Sequence, residues 1–436
     1  MGQRLAATRI DPKFGDASGG RRFFLHNDQM PYGALALFKR RPHEVDQYSS
    51  ADHIISQGRT PSDPVICLRP HAAKRAAKWF TDHFPGHVFF AMKANPDPVV
   101  LHALTAGGVT RFDVASIREV RHARSLFPEA ELAYMHPIKG PEAIAEAYHD
   151  HGVRIFALDH EAELEKILAA TGQARDLTLC VRVAVANPHA KMSLATKFGI
   201  RGEGALHLLQ AARLRAARLG VTFHAGSQTM APLAFTEAMD EVETIMTAAS
   251  VLVDILDVGG GFPAPYPGMD IPELHRFTAT IQDRFDRLLS ARQAVLWCEP
   301  GRALCAEASS VVVRVEGRRG QDLYLNDGIY GTLYDAGHFA WRYPARVLGK
   351  GGDLYPFHFY GPTCDDADYM KGPFMLPKTV QPGDYIEVGM VGAYGQTMAA
   401  PFNGFGVYEK HLCTDDPFGS VYAFPTEGQH GMENVS

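Results

Sequence analysis

Two hydrophobic periods alternate along this chain. Short apolar, strand-like runs lie at 88–92, 110–114, 132–136, 154–158, 177–183, 221–224, 255–258 and 295–298. Around and between them, residues 72–83, 117–126, 142–149, 161–170, 205–218, 235–248 and 272–290 carry apolar positions at helical spacing. Strands alternating with helices predict a parallel sheet, and eight such units predict an α/β fold closed as a (β/α)8 TIM-type barrel. An open doubly wound sheet competes, but it places its glycine-rich turn after the first strand, whereas here the glycines follow the seventh. After Arg302 the pattern changes. Residues 309–316, 322–326, 345–348, 357–360, 385–388 and 406–408 read as strands separated by Gly, Pro and Asp turns, without long helices. They predict a C-terminal, mostly antiparallel β domain. The expected division is 1–62, an N-terminal extension partly packing with the β domain through an edge strand at 34–38; 63–303, the barrel; and 304–436, the β domain.

At 436 residues the chain exceeds one ordinary core. Its 46% hydrophobic and 21% charged content is that of a globular protein. A formal charge of −6 leaves no basic footprint for nucleic acid. No apolar run approaches the roughly 20 residues that span a bilayer, and residues 1–16 lack a signal peptide's apolar segment. The expected location is cytoplasmic, with no membrane partner. Cys67, Cys180, Cys298, Cys305, Cys364 and Cys413 form no Cys-x-x-Cys pair, so neither a disulfide framework nor a zinc knuckle is expected. No His-Glu-x-x-His helix occurs either, and no metal site is expected.

Reactive groups of such barrels sit at the C-terminal ends of the strands. Here those ends carry, in order, Lys93, Asp113, His136, Asp159, Arg182, His224, the glycines 259–261 and Glu299. Strand ends are also polar simply because they meet solvent. Solvent contact does not account for three consecutive glycines before Phe262-Pro263. Gly259, Gly260 and Gly261 expose backbone N–H groups as a phosphate nest, at the loops where barrels usually bind phosphate. Ser227 offers a hydroxyl to the same group, and Arg302 either reaches it or pins its loop. Glu299 follows an apolar strand and needs a cationic partner; a protonated pyridine nitrogen supplies one. His224 is placed to lie flat on a ring, or is a hydrogen-bonded core histidine. Pyridoxal phosphate requires a lysine for its aldehyde, an acid or arginine at its ring nitrogen, and a phosphate cradle. All three residue types fall on one predicted face.

With these residues in view, the chain resembles the fold type III (alanine racemase-like) pyridoxal-phosphate decarboxylases, and among them the bacterial ornithine/lysine decarboxylases. The matching stretches are Ala91-Met-Lys93-Ala-Asn95, Phe112-Asp-Val-Ala-Ser116 with Glu119, Met135-His-Pro-Ile-Lys139, Lys197-Phe-Gly199, His224-Ala-Gly-Ser227 and the 257–263 loop. They continue through Glu299-Pro-Gly-Arg302, Asn326-Asp-Gly-Ile-Tyr330, Gly361-Pro-Thr-Cys-Asp365 and Gly392-Ala-Tyr394. The resemblance implies that Lys93 carries the cofactor, His224 stacks on its ring and Glu299 pairs with the ring nitrogen. It places Ser227, Gly260, Gly261, Arg302 and Tyr394 around the phosphate, with Asp113 and Arg182 supporting ring and lysine. It also implies a homodimer whose active sites lie at the interface, where Cys364 of one subunit returns a proton to the product. Tyr330, Asp335 and Asp365 would bind the substrate. Ornithine or lysine would yield putrescine or cadaverine and carbon dioxide, a step of polyamine biosynthesis. meso-Diaminopimelate, arginine or a larger amine-bearing metabolite remain open as substrates. Diaminopimelate decarboxylases typically place glutamate after the reactive cysteine, so Cys364-Asp365 leans towards a basic amino acid. A racemase, or a decarboxylase-like regulator without cofactor, fits less well; racemases generally set an arginine where Glu299 stands. The chain departs from the family in Ala225 after His224 and in the stretch Asn187-Pro-His-Ala-Lys191.

Overall fold

The structure, a computed structural model, describes residues 46–56, 58–185, 189–192 and 196–422. The expected edge strand at 34–38 lies outside them, as do Asn187 and Pro188. All eight predicted barrel strands form: His87–Ala91, Arg111–Val114, Glu131–Tyr134, Ile155–Leu158, Thr178–Arg182, Arg218–Thr222, Ile255–Asp257 and Val295–Cys298 close into one parallel barrel. Successive side chains divide between two cores, as the period of two requires. Phe89, Ala133, Met135, Ile155, Ala157, Cys180, Ile255 and Trp297 fill the barrel interior. Phe90, Phe112, Leu132, Phe156 and Leu179 face the surrounding helices. Each such Phe or Leu contributes about 1.5–3 kcal/mol when buried.

Helix starts follow local chemistry. Ser116 accepts the Glu119 N–H while Glu119 reaches back to the Ala115 N–H, at 3.2 and 2.6 Å, and so caps Ile117–Leu126. The pattern did not predict the helix Pro98–Ala106, which follows the first barrel strand. Asp97 caps it by accepting the Val99 N–H at 2.9 Å.

The second body is a mostly antiparallel nine-stranded sheet. Its long strand Ser309–Arg319 pairs with Asp322–Leu325, Tyr385–Val388 and Val65–Leu68. Val65–Leu68 thus belongs to this sheet although it precedes the barrel in the chain. Glu409–Cys413 runs parallel to it and replaces the strand expected at 406–408. The unexpected strand Tyr369–Pro377 pairs with Leu354–Tyr360 at the sheet's edge.

The two bodies join directly behind Lys93. Asn95 Nδ2 donates to the Gly392 carbonyl at 2.7 Å, the Tyr394 N–H donates to the Ala94 carbonyl at 2.9 Å, and Lys410 pairs with Asp97 at 2.5 Å. No helix among the described residues is long and apolar enough to cross a membrane.

Candidate active site

The first barrel strand ends at Ala91, in register with Asp113 on the second. Lys93 therefore leaves the barrel mouth beside Asp113, whose Oδ2 lies 2.6 Å from Lys93 Nζ. Burial works against the lysine's charge. Asp113, helped by Tyr394 and Glu299, outweighs burial and raises its pKa.

A cavity of about 260 Å³ opens in front of this pair. Lys93, Asp113, Arg182, His224, Ser227, Gly260, Gly261, Glu299, Arg302 and Tyr394 all line it. Apart from Gly259, whose N–H donates to Asp257 Oδ1 at 2.8 Å, every residue expected to hold the cofactor is thus in one place. The cavity also takes in His136, one of the strand-end groups, and Met135, Lys197 and Phe198, which were not among the expected site residues.

Glu299 follows the eighth strand and Asp257 ends the seventh, so their buried carboxyls lie on adjacent strands. Burial pushes Glu299 up first, and the charges of Asp257 and Asp113 add to it. Burial also raises Asp257, while a hydrogen bond from Glu299 lowers it. The pair holds a proton on the Glu299 side. Glu299 Oε1 and Asp257 Oδ2 are both buried and receive no hydrogen bond from an N–H or hydroxyl group, which for carboxyl oxygens calls for a polar partner.

The imidazole of His224 accepts the Gly226 N–H at Nδ1, 3.0 Å away, so a neutral ring carries its proton on Nε2. Burial, then Arg182 and Lys93, lower its pKa well below the ordinary value and keep it neutral. A Cβ on Gly260 would lie 3.0 Å from His224 Nε2 and 2.8 Å from the Glu299 carbonyl oxygen. Only glycine leaves that space open. Gly261, at φ +108°, has a backbone that side-chain-bearing residues rarely adopt. Tyr394 is held at φ +61°, a strained value for a non-glycine residue at the cavity.

The wall opposite is fixed by Lys139. Its buried Nζ donates to the carbonyls of His136 and Ala157 and pairs with Glu163, at 2.9, 2.6 and 3.0 Å. Burial lowers its pKa to about 8. Asp159 Oδ2 accepts the Gly199 N–H at 2.8 Å and so ties down the loop that carries Lys197 and Phe198.

Cys364, Tyr330 and Asp365 lie elsewhere in the single chain. Cys364 is exposed, and its N–H donates to Asn403 Oδ1 at 3.1 Å. Asp365 accepts a short hydrogen bond from Tyr330 Oη, which lowers its pKa. Cys364 and Asp365 border a second cavity of about 700 Å³ with Asp366, Asp368, Phe405 and Val407. Asp335 does not line the Lys93 cavity. It is buried, with Oδ2 2.8 Å from Arg302 Nη1. Around the Arg302 guanidinium stand the rings of Tyr266 and Trp341, for which the sequence offers no signal, together with the expected Tyr394. Asp257 does carry a signal in the sequence: with Glu299, two carboxylates end consecutive strands.

The cavity fits pyridoxal phosphate on its own geometry. It combines a lysine at its base, a buried carboxyl oxygen that receives no N–H or hydroxyl donor, and a glycine cradle that a Cβ would fill. Residues 71–306 match the family described as "Pyridoxal-dependent decarboxylase, pyridoxal binding domain". The chain belongs to this family of pyridoxal-phosphate-dependent enzymes. It is 36% identical to the lysine/ornithine decarboxylase of Selenomonas ruminantium over 77% of this chain and 86% of that protein. A solved mutant of SrLDC in complex with PLP superposes with a TM-score of 0.74 at 31% identity, covering 83% of this chain and 95% of that one. The lysine/ornithine decarboxylase of Vibrio vulnificus, complexed with cadaverine, gives 0.72 at 30% identity over 84% and 100%.

Proposed function

We propose that this enzyme decarboxylates a basic L-amino acid, ornithine or lysine, to putrescine or cadaverine. The observation that carries this reading is the buried Glu299 carboxyl, whose Oε1 receives no N–H or hydroxyl donor, in the same cavity as Lys93. The likeness to lysine/ornithine decarboxylases supports the choice of substrate.

Pyridoxal phosphate, when bound, supplies an electron-withdrawing ring that accepts the electron pair left by departing carbon dioxide. The chain's own residues do the rest. Lys93 Nζ would hold the aldehyde, and Asp113 Oδ2, 2.6 Å from it, is the nearest acceptor for the proton that Nζ gives up. Glu299 would face the ring nitrogen and keep it protonated. The neutral His224 imidazole, with Arg182 beside it, would support the ring. Ser227, Gly260, Gly261, Arg302 and Tyr394 would hold the phosphate with donors already fixed by the fold, which lowers the reorganisation that chemistry requires.

Cys364, Tyr330 and Asp365 do not reach this cavity within one chain, and we assign their roles to a homodimer. Cys364 of a second copy returns a proton to the carbon that lost carboxylate. Asp365, supported by Tyr330, receives the distal ammonium, which in a closed pocket needs a carboxylate. We also assign residues up to Leu68 to the β domain, and place the enzyme in the cytoplasm. The test is a panel of ornithine, lysine, arginine and meso-diaminopimelate with detection of carbon dioxide. Turnover of ornithine or lysine is expected; turnover of none, or racemisation without carbon dioxide, overturns the reading.

A further inference from the structure

The phosphate cradle has two halves. Ser227 stands on the segment 224–229, and Gly260 and Gly261 stand on the loop after the seventh strand. The backbones of the halves meet closely: the Thr229 N–H donates to the Gly261 carbonyl at 2.9 Å. A Cβ on Gly261 would lie 2.5 Å from the Gly226 carbonyl oxygen. The side chain of Gln228 crosses from one half to the other. It is buried and does not line the cavity. Its Oε1 accepts the Ala264 N–H at 3.0 Å, and its Nε2 donates to the Ala264 carbonyl at 2.5 Å. An N–H on one side and a carbonyl on the other fix which end of the amide carries the oxygen. Gln228 itself sits at φ +56°, a left-handed backbone that a residue with a side chain keeps only when its surroundings hold it there. The grip on Ala264 supplies that hold.

We propose that Gln228 is a positioning residue that clasps the two halves of the cradle at the spacing a phosphate requires, and so sets the preference for the phosphorylated cofactor. Ser227 precedes Gln228 directly, and Gly261 lies three residues before Ala264. Fixing the amide on Ala264 therefore fixes the Ser227 hydroxyl relative to the glycine N–H groups. Without the clasp these donors must be gathered by the phosphate itself, which weakens what each contributes. The inference rests on the reading of Ser227, Gly260 and Gly261 as the groups that hold the phosphate, and the experiment separates the two.

The full chain is freed of cofactor, and binding of pyridoxal phosphate and of pyridoxal, which lacks the phosphate, is measured by equilibrium dialysis. Gln228→Met keeps the length of the side chain and loses both bonds to Ala264. Gln228→Gly loses the same bonds but is at ease in the left-handed backbone, so it serves if Gln228→Met does not fold. Each variant is expected to reduce the preference for pyridoxal phosphate over pyridoxal on the order of 10-fold, the cost typical of unmaking buried hydrogen bonds. Affinity for pyridoxal should barely change. An unchanged preference in Gln228→Gly overturns the proposal. An equal loss of affinity for both aldehydes also overturns it, since a purely structural role would act on both alike. If the unmodified chain itself shows no preference, the cradle reading fails and the proposal falls with it.

Discussion

Lys93 Nζ and Asp113 Oδ2 stand 2.6 Å apart at the ends of neighbouring barrel strands. Asp113 keeps the cofactor-free lysine protonated and also offers the site to which its proton can pass. Asp113→Asn removes the group that most raises the lysine's pKa. In the cofactor-free chain, acylation of Lys93 at pH 8 should then speed up about tenfold for each unit by which the pKa falls. Mass-spectrometric labelling rates measure this, and equal rates in both proteins would contradict it.

Glu299 imposes a cost on the cofactor-free fold. Its pKa is raised by burial, so the folded chain binds this proton more tightly than the unfolded chain. Its contribution is complete below the unfolded value of about 4.3 and falls as pH rises through the folded value. Glu299→Gln should stabilise the cofactor-free protein by on the order of 1–3 kcal/mol at pH 8 and by much less at pH 4.5. Turnover should drop by on the order of 100-fold or more, as the ring nitrogen loses its acid. Denaturant unfolding at the two pH values, with kcat of the loaded variant, tests both halves.

If each site draws Cys364 and Asp365 from a second copy, inactive variants should complement. Lys93→Ala and Cys364→Ala damage opposite sides of the interface. Mixed in equal amounts and allowed to exchange, they form mixed dimers in which one site of two is intact. Activity should recover to about one quarter of the unmodified enzyme, since random pairing makes half the dimers mixed. No recovery, with subunit exchange demonstrated, would place Cys364 and Lys93 on one chain's site.

Lys139 shapes the cavity without lining it. Removing its ammonium leaves Glu163 buried beside Lys166 alone and frees the carbonyls of His136 and Ala157. Lys139→Ala should therefore cost about 3–5 kcal/mol of stability. Lys139→Ala combined with Glu163→Gln should recover part of that loss. Equilibrium unfolding of the single and double variants decides it.

Much of this site was legible in the sequence, because parallel strands buried on both faces are continuous apolar runs whose last residues stand out. Lys93, His224 and Glu299 were found that way, and the glycine run located the cradle. What stayed hidden was of two kinds. Pro98–Ala106 was missed because Asn95-Pro-Asp-Pro98 reads as a turn, although Asp97 and Pro98 also make a helix start. Tyr369–Pro377 was missed because Lys371-Gly-Pro373 interrupts its apolar pattern. The second kind was tertiary. The contact of Asp335 with Arg302 joins residues far apart in the chain, and no local pattern marks it.

The most direct test of the central claim is to reduce the cofactor-loaded enzyme with borohydride and map the labelled peptide. The account predicts a stable pyridoxyl group on Lys93 alone, with loss of the visible absorption band. Label on Lys197, which also lines the cavity, or on Lys139 behind it, with Lys93 unmodified, would contradict it.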